Sequence, residues 1–443
     1  MCMRSLCLCM RLCFLCLCMR WRGRFLMLRK TLLFEEGKIR LSLREETGFS
    51  VLNINGAHIL YLNETASEYV RYIMEEKSRE EIIKIMTKKY KVAKEKVEKD
   101  YEKVYFDIIA LASSKDICPF SSLGIESVSP FSKDYELKAP HRFDLAITYR
   151  CNNKCIHCYA ASPRETEELS TEKWKRIIDT ISELSNAVVF TGGEPLLRED
   201  IVDLVAYSKN LVTGLVTNGR LLPKYMDSLE KAELDHVQIT IEGFENVHNK
   251  IVGANAWKET VEGIKKAVDL SVFTLTNTTL MKYNYKDVEK FIHFLNDLGL
   301  ERLAFNSIIY SGKAKKEYAL SLEDLRMTIE KIIKTCDELD LELVWYTPTK
   351  RCEIDPVEYG LGLKVCSAAR INVTVEPNGD VIPCQSWFEP MGNILKDPWD
   401  GIWNSKLAKY IRDREYMPES CKECEKYKNK ECTAGCPLDM YCY

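Results

Sequence analysis

The chain has 443 residues, room for roughly two to four domains with cores of their own, and a formal net charge of −3. That balance gives no reason to expect a bulk polyanion such as nucleic acid as a partner. Its 19 cysteines are clustered and no cleavable secretory signal precedes them, so metal ligation in a reducing cytosol fits better than disulfides.

The first stretch holds Cys2, Cys7, Cys9, Cys13, Cys16 and Cys18 among Leu, Met and Arg. Arg4, Arg11 and Arg20 interrupt it, so no run reaches the ~18 apolar residues of a membrane span. No small-residue cleavage site follows, and the cysteine spacing matches no metal pattern. Residues 1–29 read as a low-complexity tail, with Met27 an alternative start. From 30 to 115 the pattern is a small α+β unit. Ile39, Leu41 and Leu43 alternate as in a strand, and residues 49–54 and 59–62 continue the β pattern. Asn63 caps a helix, Ser78 to Glu81 form a capping box for a second, and Val97, Tyr101, Val104, Ile108 and Leu111 stripe a third. Strands followed by three helices are winged-helix-like. The third helix mixes Lys94, Lys96 and Lys99 with Glu95, Glu98 and Asp100, which is a solvated face rather than a nucleic-acid stripe.

Residues 116–140 carry Pro119, Pro130 and Pro140 and read as a linker; its length lets the first unit act as a tethered arm, and Cys118 in it has no partner spacing. Between 141 and 346 apolar runs at 143–147, 187–190, 212–216, 236–241, 272–276 and 302–305 alternate with amphipathic helices near 171–185, 198–209, 221–232, 256–269, 284–298 and 321–338. Such alternation implies parallel strands joined by right-handed crossovers. Residues 347–443 are short on core and rich in Cys352, Cys366, Cys384, Cys421, Cys424, Cys432, Cys436 and Cys442.

The chemistry concentrates in Cys151-x3-Cys155-x2-Cys158, directly after the first strand of the alternating region. A four-iron cluster normally takes four thiolates; three in one loop leave an iron open to a ligand, whereas the C-x2-C pair alone also suits zinc. Gly192-Gly193-Glu194-Pro195 closes the second strand.

Together these motifs resemble the radical S-adenosylmethionine (SAM) enzyme family. The resemblance implies an α/β fold, an open (β/α)6 partial TIM barrel with its site at the carboxyl ends of the strands. It implies Cys151, Cys155 and Cys158 on a SAM-binding [4Fe–4S] cluster, and Gly192, Gly193 and the Glu194 carboxylate receiving the methionyl amine. It places His157 against the adenine, and Glu242 and Asn277 near ribose or adenine. Related enzymes often carry an arginine for the SAM carboxylate in a stretch matching 248–253; here there is none. The C-terminal cysteines resemble the SPASM extension, although seven residues separate Cys424 from Cys432, more than in its commonest version. That likeness implies two auxiliary [4Fe–4S] clusters, three clusters in all: Cys366, Cys384 and Cys436 on the first auxiliary cluster, with Cys352 as candidate fourth ligand, and Cys421, Cys424, Cys432 and Cys442 on the second. Without Cys352 the first would keep an open iron for a substrate thiolate. Sulfatase-maturing relatives have an aspartate base where this chain has Gln385, which argues against that activity.

Residues 60–66 and 78–82 resemble the precursor-recognition element of ribosomal peptide maturation. The expectation is a cytoplasmic enzyme that cleaves SAM reductively to a 5′-deoxyadenosyl radical and crosslinks a precursor peptide, by thioether or carbon–carbon bonds. The peptide binds through the N-terminal domain, and the electron comes from a donor such as flavodoxin or ferredoxin, with no nucleic acid or membrane partner. The alternatives are a radical SAM maturase of small-molecule, metal or haem cofactor biosynthesis, and a non-enzymatic winged-helix regulator.

Overall fold

The computed structural model describes residues 27–443 except 35–36, 47, 55–57, 114–136, 162–166, 271, 363, 430, 433 and 440–443. The cysteine-rich stretch, most of the linker with Cys118, and Cys442 lie outside the described residues.

Strands β1 (Met27–Phe34), β2 (Gly37–Glu45), β3 (Ser50–Ile54) and β4 (His58–Leu62) form an antiparallel meander in that order. Residues 27–29, expected in the tail, already belong to β1, which pairs along its length with β2. Helices α1 (Glu64–Met74), α2 (Arg79–Tyr90) and α3 (Lys94–Ser113) follow. Asn63 Oδ1 accepts from the Ala66 amide at 2.8 Å, and Ser78 with Glu81 closes the capping box, so two of the three helices start where the side chains satisfy their first amides. Their apolar stripes, Tyr69, Val70, Ile82, Met86, Val97 and Ile108, close over Leu41, Leu43, Leu52 and Ile54 on one face of the sheet.

The other face is covered too. All five β3 residues are buried, as an antiparallel strand is only when both faces are packed. The cover is the barrel. Arg44, fully buried, donates to the carbonyls of Pro140 (2.7 Å), Leu184 (3.0 Å) and Ala139 (3.2 Å) and pairs with the equally buried Glu46 at 2.7 Å. Arg29 donates to the carbonyls of Ser182 and Ser185, and the Tyr61 hydroxyl lies 2.8 Å from His141 Nε2. Two guanidinium groups thus cap the carbonyl end of the next helix, where positive charge is favoured. The N-terminal unit is a layer docked on the barrel rather than the tethered arm expected from the linker.

Six parallel strands follow as expected: β5 (Arg142–Thr148), β6 (Ala187–Gly192), β7 (Val212–Thr217), β8 (His236–Thr240), β9 (Phe273–Thr279) and β10 (Arg302–Asn306). The crossovers are α4 (Thr171–Leu184), α5 (Ile201–Tyr207), α6 (Leu222–Lys231), α7 (Glu245–Val252), α8 (Trp257–Val268), α9 (Val288–Asp297) and α10 (Leu322–Glu338). Each long helix turns one apolar face to the sheet, as α4 does with Trp174, Ile177, Ile178 and Ile181. A seventh parallel strand, β11 (Glu342–Trp345), adds beyond β10. On the opposite edge β12 (Asn372–Val375) pairs parallel with β5, and β13 (Asp380–Ile382) and β14 (Gly392–Asn393) continue antiparallel. The sheet therefore runs linearly from β11 to β14 without closing: an open barrel, with the C-terminal domain continuing its edge beside β5.

Candidate active site

β5 leads straight into the cysteine loop, and neighbouring elements hold that loop by its backbone. The amides of Lys154 and Ile156 donate to the carbonyls of Val252 (2.8 Å) and Ile251 (2.9 Å) at the end of α7. Gly253, at φ +64, passes so close that a Cβ would stand 2.6 Å from the Lys154 carbonyl oxygen. The stretch 248–253, where relatives carry an arginine for the SAM carboxylate, here braces the loop. From the other side the Lys313 amide donates to the Cys158 carbonyl at 3.0 Å.

The three thiols share one electrostatic patch. Burial raises the pKa of each, and Cys158 raises those of Cys151 and Cys155 further. Thiols that destabilise one another as anions suit a cationic centre, which deprotonates its thiol ligands outright. The donor set therefore fits an iron–sulfur cluster.

The Gly192-Gly193-Glu194 turn lies directly against this loop. The amides of Gly193 and Glu194 donate to the carbonyls of Thr148 (2.7 Å) and Arg150 (2.8 Å). A Cβ on Gly193 would meet the Arg150 oxygen at 2.3 Å, so glycine is required for backbone to touch backbone. The Glu194 carboxylate is fully buried and accepts from the Leu196 amide (3.0 Å), the Thr217 hydroxyl (2.8 Å) and the Asn218 amide (2.8 Å). Burial pushes its pKa up to about 7 against the opposing pull of those donors. The carboxylate thus ties β6 to β7.

Glu242, after β8, is likewise buried. One oxygen accepts from the Thr279 amide at 2.9 Å and the other lies 3.2 Å from His157 Nε2. Its own amide donates to His248 Nδ1 at 3.1 Å. Glu242 and the cluster-loop residue His157 thus stand side by side at the carboxyl end of β8. His157 Nδ1 and Asn277 Oδ1 are both buried with no protein partner. Such atoms cost stability unless a ligand completes them, and their polarity fits a nucleoside.

In the C-terminal domain two thiol groups form. Burial pushes Cys366 up to about 11 and Cys384 up to about 12, and raises Cys436 well above the usual range; Cys366 adds to the rise of the other two. Cys421 is raised by burial and then by Cys352, Cys432 and Cys424. The Cys352 thiol is thus within electrostatic reach of the second set. The segment carrying it is pinned there by Arg351–Glu431 (3.2 Å) and Lys426–Asp355 (2.9 Å). The two domains join at the active face: Tyr159, next to Cys158, donates to Gln385 Oε1, next to Cys384, at 2.6 Å. Ser311 donates to the Ser386 carbonyl, also at 2.6 Å. A cleft of about 460 Å³, lined by Lys282, Tyr310, Lys316, Lys350 and Asp439 among others, opens beside the segment that leads into Ser311.

Residues 145–295 match the model of the radical SAM superfamily, and residues 366–425 match that of SPASM, an iron–sulfur cluster-binding domain. Fe-coproporphyrin III synthase of Methanosarcina barkeri is 31% identical over 318 residues, covering 63% of this chain and 79% of the relative. The chain belongs to the radical SAM superfamily. This radical SAM enzyme, whose cofactors are SAM and iron–sulfur clusters, is also 29% identical over 304 residues to the PqqA peptide cyclase of Bradyrhizobium diazoefficiens (63% and 77% covered). It is 24% identical over 405 residues to the subtilosin biosynthesis protein AlbA of Bacillus subtilis (88% and 85% covered). Streptococcus suis SuiB bound to precursor peptide SuiA shares its fold, with TM-score 0.66 at 18% identity, covering 93% of this chain and 96% of SuiB. Among the described residues of this radical SAM enzyme no helix is long and apolar enough to cross a membrane.

The sequence puts Thr217-Asn218-Gly219 at a strand's carboxyl end, where barrels place their chemistry, but gives it no role; Arg220, Tyr159 and Ser311, which also hold the loops of the site, were missed.

Proposed function

We propose that this radical SAM enzyme modifies a ribosomally made precursor peptide, forming a thioether, carbon–carbon or related crosslink. The observation that carries the reading is the N-terminal layer: a sheet and three helices built into the enzyme, within a fold shared over 93% of the chain with a structure solved with its precursor peptide. Strand β4 is one of the sheet's two edge strands, β1 being the other. An extended leader can add there, gaining main-chain hydrogen bonds while alternate side chains enter pockets.

Cys151, Cys155 and Cys158 hold the first cluster. Cys366, Cys384 and Cys436 hold one auxiliary cluster; Cys421, Cys424, Cys432 and Cys352 hold the other, with Cys442 a further candidate. When bound, SAM and its cluster supply a 5′-deoxyadenosyl radical that abstracts a hydrogen atom. The protein's own part is positioning. The glycine turn brings backbone against the loop, and His157 and Asn277 offer polar atoms to the nucleoside. Gln385, held by Tyr159, puts a carboxamide where an aspartate would act as base. A flavodoxin or ferredoxin in the cytoplasm provides the electron.

A second reading, maturation of an iron porphyrin or metal cofactor, is favoured by the 31% identity to Fe-coproporphyrin III synthase. Hydrogen exchange on the reconstituted protein separates the two. With synthetic peptides from short reading frames beside the gene, protection of the amides at 58–62 is expected. SAM- and dithionite-dependent formation of Fe-coproporphyrin III from an iron porphyrinoid precursor, without such protection, would establish the second reading instead.

A further inference from the structure

The turn Thr217-Asn218-Gly219-Arg220 after β7 has no part in the ligand sets above, yet it touches both motif loops. We propose that Asn218 is a positioning residue for the first cluster: it holds the Cys151 end of the cluster loop in register with the Gly192–Glu194 turn and raises the cluster's potential. The inference rests on Cys151, Cys155 and Cys158 being the ligands.

Both backbone groups and both side-chain ends of Asn218 are engaged. Its amide donates to Glu194 Oε2 (2.8 Å), its carbonyl accepts from the Thr260 hydroxyl (2.9 Å), and Oδ1 accepts from the Arg220 amide (3.1 Å). Nδ2 donates to Asn152 Oδ1 at 2.7 Å and lies 4.0 Å from Cys151 Sγ. Arg220 reaches the same segment, donating to the Asn152 carbonyl (2.6 Å) and Asn153 Oδ1 (3.1 Å) while its other edge pairs with Glu259. The turn cannot retreat. Gly219, at φ +81, is seated so closely on α8 that a Cβ on Gly263 would stand 2.1 Å from its oxygen.

The consequence is electronic as well as steric. The Asn153 amide also points at Cys151 Sγ, at 3.4 Å, and that loop conformation is what Asn218 and Arg220 fix. Donors at a ligand sulfur stabilise the more electron-rich, reduced cluster, and hydrogen bonds to sulfur are one of the determinants of its potential. The Asn153 amide and Asn218 together therefore set how hard the cluster is to reduce and how its open iron faces SAM.

The test is an EPR-monitored redox titration of the holoenzyme, with Asn218→Ala and Asn218→Asp. The first cluster is recognised by the change in its spectrum when SAM is added, and the auxiliary signals serve as internal controls. The expected result is a midpoint shifted to more negative potential in Asn218→Ala and further in Asn218→Asp, a weakened spectral response to SAM, and unmoved auxiliary potentials. A variant that assembles no first cluster while keeping the auxiliary signals also supports positioning; Arg220→Lys is then the milder change, expected to keep the cluster at a shifted potential. Parent-like midpoints and parent-like SAM responses at equal iron content would overturn the proposal. Failure of the ligand reading itself shows separately, as a SAM-sensitive signal that survives replacement of Cys151, Cys155 and Cys158.

Discussion

Arg44→Ala strikes the joint between the N-terminal layer and the barrel. Arg44 and Glu46 both have 0% side-chain exposure, and the guanidinium also serves the carbonyls of Ala139, Pro140 and Leu184. Truncation strands a buried carboxylate, a change that costs about 3–5 kcal/mol; the three carbonyls add less, because water can follow into the vacated volume. For a unit of 60–100 residues each kcal/mol lowers Tm by about 4–8 °C, so its transition should fall by on the order of 10 °C or more. The partner experiment is Arg44→Met/Glu46→Leu, which strands no charge and should recover most of the loss. Anaerobic calorimetry of the three proteins decides. A single variant within about 1 kcal/mol of the parent, or a double variant no better than the single, would refute the buried-joint account. By the same reasoning, deleting residues 1–115 uncaps α4 and should destabilise the barrel rather than cleanly remove a recognition arm.

Replacing Cys151, Cys155 and Cys158 together by alanine should abolish 5′-deoxyadenosine formation under dithionite, whereas Cys421→Ala should leave it measurable; chromatography of the nucleoside checks both. Gly193→Ala puts a methyl 2.3 Å from the Arg150 oxygen. Such overpacking costs about 1–3 kcal/mol, and the spectral response of the reduced cluster to SAM should be lost with it. His141 is buried and its pKa is held well below the usual 6.5, chiefly by burial. Its unfolded form therefore takes up a proton first on acidification, so its contribution is present above pH 6.5 and lost as pH falls. His141→Gln should flatten the stability curve below that point by up to about 1.4 kcal/mol per pH unit, seen in urea titrations compared with the parent. Glu46, whose pKa is raised mainly by burial, works in the opposite sense, so the comparison of variant with parent is what isolates the histidine.

The barrel was legible in the sequence because parallel strands covered on both faces read as unbroken apolar runs, and because each long crossover helix buries a single stripe. The cysteine loop and glycine turn were legible because their spacing is local. What escaped was set by tertiary contact. β1 carries Arg29 and Lys30 among its apolar residues; β12 to β14 are short, with Asn372 and Thr374 buried against the barrel edge. The helix Glu245–Val252 is half polar, yet its end braces the cluster loop. The bonds by which Glu194 holds β7 and Glu242 holds the Thr279 amide have no local signature either. The Arg44–Glu46 pair drew no reading from the sequence, since a buried ion pair between layers has no local signature.

The central claim is that the substrate is a peptide. Co-expressing the chain with the short reading frames beside its gene, then weighing each peptide intact, tests it most directly. The account predicts that one peptide loses the mass of two hydrogens per crosslink, and that the loss vanishes with the Cys151, Cys155 and Cys158 replacement. Unmodified peptides throughout, alongside SAM-dependent conversion of a porphyrin or other small molecule by the same preparation, would contradict it.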